Sequence, residues 1–368
     1  MKVDKILGIR YGYPMSVLAV ITTFFPNISV IQNIEIIKKQ ADLTLIIDNG
    51  SDQNSLKLLQ KFENDPKIKI ILNGQNLGIA KSCNMAASFL LEHNQKVRNN
   101  KEKIENENTK NLITNSSKEN LEINLNQKIE NNSAKLNNSQ SAKNYIDWQN
   151  LTFDWLLTFD QDSTPTSDYV SKMLKLANQI EKSADCQNKI GVICPTYFYE
   201  STGKIEKKNP TNSDFWELSG SMSSGSLIPK VVFEKGFFCE EKLFVDYFDL
   251  EFHLKLRKNG LKVLEASKIQ LTHELGKISC ATFFGKSFIP TNYPAFRRYY
   301  QARNRILIYT RYFLFDPKTC LWDIKNSLAD IAKLILAENQ KTEKLKAVIL
   351  GTFDGIINKY QNPAPKFK

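Results

Sequence analysis

The chain predicts an α/β fold, a mostly parallel sheet with helices on both faces, on three observations. Short β-branched apolar runs alternate with helical patterns. The runs are continuous rather than alternating, as in strands buried on both faces. Each run ends abruptly on polar or acidic residues. Taken in order, "SVLAVITTF" (16–24) is followed by the helical pattern "NISVIQNIEIIKKQ" (27–40), and "LTLIIDNG" (43–50) by "QNSLKLLQKFEN" (53–64). Next come "IKIILNG" (68–74) with "GIAKSCNMAASFLLEHN" (78–94), "WLLTFDQD" (155–162) with "SDYVSKMLKLANQIEKS" (167–183), and the strand "IGVICPTYF" (190–198). Strands separated by helices build parallel sheets, because each crossover helix packs back on the strands it connects.

With 368 residues, 42% of them hydrophobic, the chain can bury a sizeable core but exceeds one simple domain. The expected organisation is an α/β domain over 1–285 and a helical region over 286–368. The domain is interrupted at 94–148 by an Asn-, Lys-, Glu- and Ser-rich stretch with no sustained apolar period. That composition buries too little apolar surface to offset ordering entropy, so a disordered or weakly helical insertion is expected, with an amphipathic helix from Ile104 to Ile129 as the alternative.

The balance of 50 Lys+Arg against 39 Asp+Glu gives a net charge of +11, which suits nucleic acid, an anionic membrane face or a phosphorylated substrate alike. Six cysteines without a C-x-x-C pair argue against a zinc or redox motif and fit reduced, buried thiols. The first apolar run, "MSVLAVITTFF", is too short to span a bilayer and lacks a following cleavage site, so a cytoplasmic location is expected.

In parallel sheets ligands bind beyond the carboxyl ends of the strands, so the residues ending each run carry the functional reading. They are Thr22 and Thr23, then Asp48 with Asn49, Gly50 and Ser51, then Asn76 with Gly78, then Asp160 and Asp162. Two carboxylates spaced D-x-D can reach one hard cation and a ribose together. The bland reading is a turn or helix cap built on Ser163, Thr164 and Pro165. "SGSMSSGSLIP" (219–229) has the composition of a mobile loop near sugar and phosphates but lacks P-loop spacing, which excludes that ATPase reading. Trp216 either stacks on a sugar or plugs the core, with the core favoured. His93 and His253 receive no functional role.

Taken together, "VITTFFPN", "LIIDNGSDQ", "NLGIAKSCNMA", "WLLTFDQDSTP", "SGSMSSGSLIP", "FVDYFDLEFHLKLRKNG", "LTHELG" and "YYQARNRILIYTRYF" resemble, in this order, the family 2 glycosyltransferases of GT-A fold, and within them bacterial rhamnosyltransferases. The resemblance implies that Thr22 and Asp48 line the nucleobase and ribose pocket, with Asp48 accepting from the pyrimidine. Asn76 and Gly78 would let the backbone pass close to the nucleotide, and Asp160 would face the ribose. Asp162, with His273, would hold Mg²⁺ or Mn²⁺ on the diphosphate. Asp249 would be the general base of an inverting transfer. Asp246 and Asp249 could instead form a capping box at the start of their helix.

The implied partners are a nucleotide-sugar donor, dTDP-rhamnose first and UDP-galactofuranose among the alternatives, and a glycan or lipid-linked glycan acceptor. Arg297, Arg298, Arg303, Arg305 and Arg311 interleave with Tyr299, Tyr300, Tyr309 and Tyr312, a pattern that fits peripheral contact with the cytoplasmic face of the inner membrane. The other reading packs this helix on the catalytic domain with its arginines in water. The sequence leaves homo-oligomerisation open. A basic nucleic-acid-binding or scaffold protein competes, but the basic residues are spread along the chain while the acidic ones gather at strand ends, so no nucleic-acid partner is expected. A nucleotidyltransferase would need a Gly-rich basic loop after the first strand, and none follows it.

Overall fold

The computed structural model describes residues 15–115, 148–206, 209–274, 281–283, 286–360, 362 and 364–367. The five expected strands join five others in one ten-stranded mixed sheet of order β3-β2-β1-β4-β9-β6-β10-β5, with β7 on β6 and β8 on β10. The long strands are β1 (Val17–Thr23), β2 (Leu43–Asp48), β3 (Ile68–Leu72), β4 (Trp155–Asp160), β6 (Ile190–Tyr199) and β10 (Lys262–His273). These six run in one direction. The short strands β5 (Ser163–Pro165), β7 (Lys204–Glu206), β8 (Phe215–Glu217) and β9 (Leu227–Pro229) run against them. A two-stranded hairpin, β11 (Ala281–Phe283) with β12 (Lys286–Phe288), lies apart from this sheet.

Continuous apolar strands are explained by helices on both faces. Side chains alternate across a strand, so Val17, Ala19 and Ile21 pack with α1 (Ile28–Lys38), α2 (Gln53–Gln60) and α4 (Tyr169–Glu181). Leu18 and Val20 pack on the other face with α3 (Ile79–Asn115) and α6 (Phe248–Lys258). Side-chain caps fix two helix starts: Asn27 accepts from Val30 N and Asp52 from Ser55 N. A short α5 (Lys230–Glu234) follows β9.

Packing of the α/β core does not stop at residue 94. Asn94 is buried and brackets the Phe153 backbone, donating to its O and accepting from its N, both at 2.7 Å, and Val97 is buried beyond it. From residue 99 to 109 the helix is exposed. The alternative helix to Ile129 is helical as far as Asn115, and residues 116–147 lie outside the described residues. Of the cysteines, Cys186, Cys194 and Cys320 are buried, Cys83 and Cys239 are half-buried, and all five are free; Cys280 is outside the described residues.

The C-terminal helices α7 (Ala295–Tyr312), α8 (Pro317–Ala337) and α9 (Lys341–Ile356) form the expected helical part, but α7 is built into the α/β domain. Leu307, Ile308 and Tyr312 share a core with Ala80, Leu243, Phe248 and Leu254. Helix α9 lies so close to α7 that a Cβ on Gly355 would come within 2.7 Å of the Arg303 carbonyl.

Helix α7 packs on the α/β domain, as one of the two sequence readings had it, but its arginines are paired with protein groups instead of standing in water or facing a membrane. Arg298 is buried against Glu338 at 2.6 Å, and Arg303 is buried among Tyr299, Tyr300 and Tyr360. Arg305 pairs with Asp323, and Arg311 with Glu240 and Glu251. Desolvated guanidinium groups need such partners, so they are committed to holding helices together.

Candidate active site

The carboxyl ends of β1, β2 and β4 lie side by side, with Thr22 in register with Asp160 and Thr23 with Asp48. Strand β4 ends at Asp160, turns through Gln161 and Asp162, and re-enters the sheet as β5, which pairs antiparallel with the end of β10. Gln161 locks this turn to the loop after β1, donating to Phe24 O at 3.0 Å and accepting from Phe24 N at 2.9 Å. Asn33 adds a bond to Gln161 O at 3.2 Å. The two aspartates therefore end a buried strand because the turn carrying them is fixed from both sides at the sheet's open end.

The β5–β10 register puts His273 opposite Ser163. His273 Nδ1 lies 2.8 Å from Ser163 Oγ and 3.5 Å from Asp162 Oδ1, and Ser224 Oγ donates to Ser163 Oγ at 2.7 Å while accepting from Asp160 N at 2.9 Å. Residues 110 positions apart, Ser163 and His273, thus meet across one strand pair. The Asp162 side chain remains 46% exposed, open to a ligand.

Burial, followed by the nearby Asp162 and Asp249 carboxylates, pushes the Asp160 carboxyl up from 3.8 to about 7, with Arg297 opposing. Such uncompensated negative charge fits a cation. Among the described residues no group of three or more His, Cys, Asp or Glu could hold a metal. A divalent ion on Asp162 and His273 would complete its shell with diphosphate oxygens and water, as Mg²⁺ and Mn²⁺ do.

A pH effect follows. The folded, metal-free protein keeps the Asp160 proton up to about pH 7, whereas the unfolded chain loses it near 3.8. Between those values the folded state binds more protons, so stability falls as pH rises, by at most about 1.4 kcal/mol per pH unit. Denaturant titrations of the metal-free protein across this window should show that slope, and Asp160→Asn should flatten it. An unchanged slope in the variant refutes the assignment.

Asp249 lies in the first turn of α6, where Leu250 N donates to its Oδ1 at 2.7 Å. The preceding loop holds three non-glycine residues at positive φ, Phe244 (62°), Asp246 (56°) and Tyr247 (65°). Each such residue costs on the order of 1–3 kcal/mol unless its surroundings impose it. Here α7 imposes it. Asn304 Nδ2 donates to Leu243 O, Val245 O and Asp246 O at 2.8, 2.8 and 3.0 Å, and Arg303 donates to Lys242 O at 2.8 Å. Asp246 is gripped by Arg297 through Nε at 2.9 Å and Nη2 at 2.8 Å. The capping box is therefore absent: Tyr247 is the N-cap residue, no side chain caps the helix, and Asp246 faces Arg297.

The remaining residues singled out in the sequence have the following surroundings. Asp48 is buried and its oxygens accept from Gly50 N, Ser51 N, Thr23 Oγ1 and Ser51 Oγ at 2.5–3.0 Å. That fills a carboxylate's capacity and makes Asp48 the brace of its loop. Asn76 accepts from Gly78 N at 3.0 Å, closing an Asx turn. Gly78 (φ 84°) is required by the loop it touches, since a Cβ there would lie 2.6 Å from Phe244 O. Loop 219–229 is pinned rather than mobile: Tyr197 OH donates to Met222 O and Ser224 O, Tyr169 OH to Gly225 O, and Gly225 N to Thr158 O. Trp216 is neither core nor near the site, sitting partly exposed on edge strand β8 opposite Glu265. His253 accepts from Ser221 N, and His93 bonds Leu151 O among Phe89, Trp148 and Phe153, both in supporting positions.

Sequence reasoning missed Phe24 and Phe25, two exposed rings in edge-to-face contact beside the D-x-D turn, where a base could stack. Their signal was aromatics directly after a strand end. It also missed the loop-clamping roles of Arg297, Arg303 and Asn304, which nothing local to α7 indicates.

Residues 28–90, from α1 into α3, match the family described as glycosyl transferase family 2. The chain is 26% identical over 351 residues to the dTDP-rhamnosyl transferase RfbF of Shigella flexneri, covering 93% of this chain and 95% of that protein. Among solved structures, GalNAc-T7 with UDP, GalNAc and Mn²⁺ aligns at 9% identity and a TM-score of 0.45, over 74% of this chain and 45% of its own. Staphylococcus aureus TarS aligns at 10% identity and a TM-score of 0.46, over 80% of this chain and 40% of its own. The chain thus spans less than half of those two structures but nearly all of the rhamnosyl transferase. The family match covers the loops after β2 and β3, and over that span the chain is similar to glycosyltransferase family 2.

Proposed function

We propose that the protein transfers rhamnose, with inversion, from dTDP-rhamnose to a hydroxyl of a lipid-linked glycan in surface polysaccharide synthesis. The observation that carries the reading is the meeting of Asp162 with His273 at 3.5 Å, beside Asp160, whose carboxyl lies within electrostatic reach of both Asp162 and Asp249. The near full-length similarity to a dTDP-rhamnosyl transferase supports the donor. UDP-galactofuranose and other nucleotide sugars are the alternative donors.

In this reading Thr22, Phe24 and Phe25 receive the nucleoside at the ends of β1 and β4, and Asp160 faces the ribose. A divalent cation, when bound by Asp162 and His273, would neutralise charge on the departing diphosphate. Arg297, held by Asp246, adds a fixed positive charge to the same region. Asp249 takes the acceptor proton as the hydroxyl oxygen attacks the anomeric carbon opposite the leaving group.

Thermal denaturation against a panel of nucleotide sugars with Mn²⁺ tests this, because a ligand of the native state raises apparent stability. dTDP-rhamnose should give the largest shift, about 2.7 kcal/mol of stabilisation at a hundredfold excess over Kd. A larger shift with UDP-galactofuranose would reassign the donor, and no shift with any nucleotide sugar would reject the function.

A further inference from the structure

Helix α8 is built with its polarity reversed. Its carboxylates point inward and are paired: Asp323 with Arg305 at 2.9 Å, and Asp330 with Lys333 and Arg298 at 3.6 and 3.8 Å. At its two ends Asp316 meets Arg257 and Glu338 meets Arg298 and Lys344. The outward face is apolar. Trp322 is 69% exposed and Leu328 63%, with Leu321, Ile335 and Leu336 also exposed and Leu314, just before the helix, 99% exposed. At 100° per residue Leu321, Leu328 and Ile335 fall on one stripe about 21 Å long. Exposed Lys318 and Lys325 flank it, and no exposed carboxylate lies on the helix.

We propose that this face docks on an anionic lipid surface, with α8 lying in the plane of the headgroups. An apolar stripe with a Trp and flanking lysines is the pattern of an interfacial helix. Among the described residues no helix is long and apolar enough to cross a membrane, so a helix of this kind would lie on the bilayer. The charge pattern selects lipid over a second copy of the chain. A twofold contact would bring together two lysine-bearing apolar faces with no exposed carboxylate on either helix, whereas anionic headgroups complement both lysines. The helix is also tied to the site, since Tyr247, two residues before Asp249, donates to Asp323 Oδ1 at 2.7 Å. The proposal stands on the helix face and is read out by lipid binding, so its failure and that of the sugar-transfer reading are separable.

The test is vesicle flotation of the full chain with phosphatidylcholine alone and with phosphatidylglycerol added. The protein should float with the anionic vesicles and not with the neutral ones. The variant L321S/L328S/I335S should lose binding while keeping soluble donor hydrolysis. K318E/K325E should bind anionic vesicles more weakly by on the order of tenfold or more. Should the serine variant fail to fold, Trp322 serves instead: its emission, taken as the difference from Trp322→Phe, should shift to the blue on anionic vesicles. No flotation, an unshifted Trp322, or a homodimer dispersed by the serine variant in a protein that ignores vesicles would each overturn the proposal.

Discussion

Asp249→Asn should keep its fold and donor affinity but lose sugar transfer by on the order of 10² or more, the scale of general-base catalysis. The position of Asp249 is the reason. Three acids, Asp246, Asp249 and Glu251, lie within one short stretch. Asp246 is bound by both nitrogens of the Arg297 fork. Glu251 is buried and accepts from Tyr312 OH at 2.8 Å, with Lys255 and Arg311 at 3.0 and 3.2 Å. Asp249 sits in the first helical turn, where the helix dipole favours its charged form, and it is close enough to Asp160 to raise that carboxyl's pKa. The asparagine keeps the size and can still accept from Leu250 N, so a loss of transfer without loss of donor binding isolates the proton-accepting role. Asp246→Asn should behave differently, weakening the grip of Arg297 on a strained loop and lowering stability together with activity. If Asp246→Asn abolishes transfer at unchanged stability while Asp249→Asn stays active, the base is Asp246.

Asp162→Ala should abolish metal-dependent donor hydrolysis and transfer while leaving the melting temperature of the metal-free protein almost unchanged. Its half-exposed carboxylate has His273 as its near neighbour, and the fold uses the residue mainly through its backbone, where Asp162 O accepts from Glu274 N at 3.4 Å. Removing an exposed carboxylate of this kind falls within about 0.5 kcal/mol of neutral. A cation would lose its most accessible oxygen ligand, so the Mn²⁺-induced thermal shift should vanish with the activity. Asp160→Ala should mainly weaken nucleotide binding, since that carboxyl is recessed beside Thr22. Near-native turnover in Asp162→Ala would reduce the D-x-D to a turn.

The sequence by itself determined the sheet-and-helix alternation, the strands with their acidic ends, and the helical C-terminal part. Those features are written in local periodicity: an apolar run such as "VLAVIT" has nowhere to go but between two helical layers, and its first polar residues mark the open end of the sheet. Asp160 and Asp162 were legible for that reason. The meeting of His273 with Asp162 could not be computed from spacing, because it depends on a three-residue strand, β5, pairing with the far end of β10. A segment that short carries no period. The same holds for the arginines of α7. Along the chain they alternate with tyrosines as on a membrane-facing helix, and only the packing of α8, α9 and the 240–251 segment supplied the carboxylates and carbonyls that bury them. Tertiary structure likewise decided how Asp246 is held, because Arg297 reaches it from a helix that begins about fifty residues later. Short-range patterns fix which residues can form an element; charge pairing across long separations fixes how the charged side chains are held, and it exists only once the chain has folded.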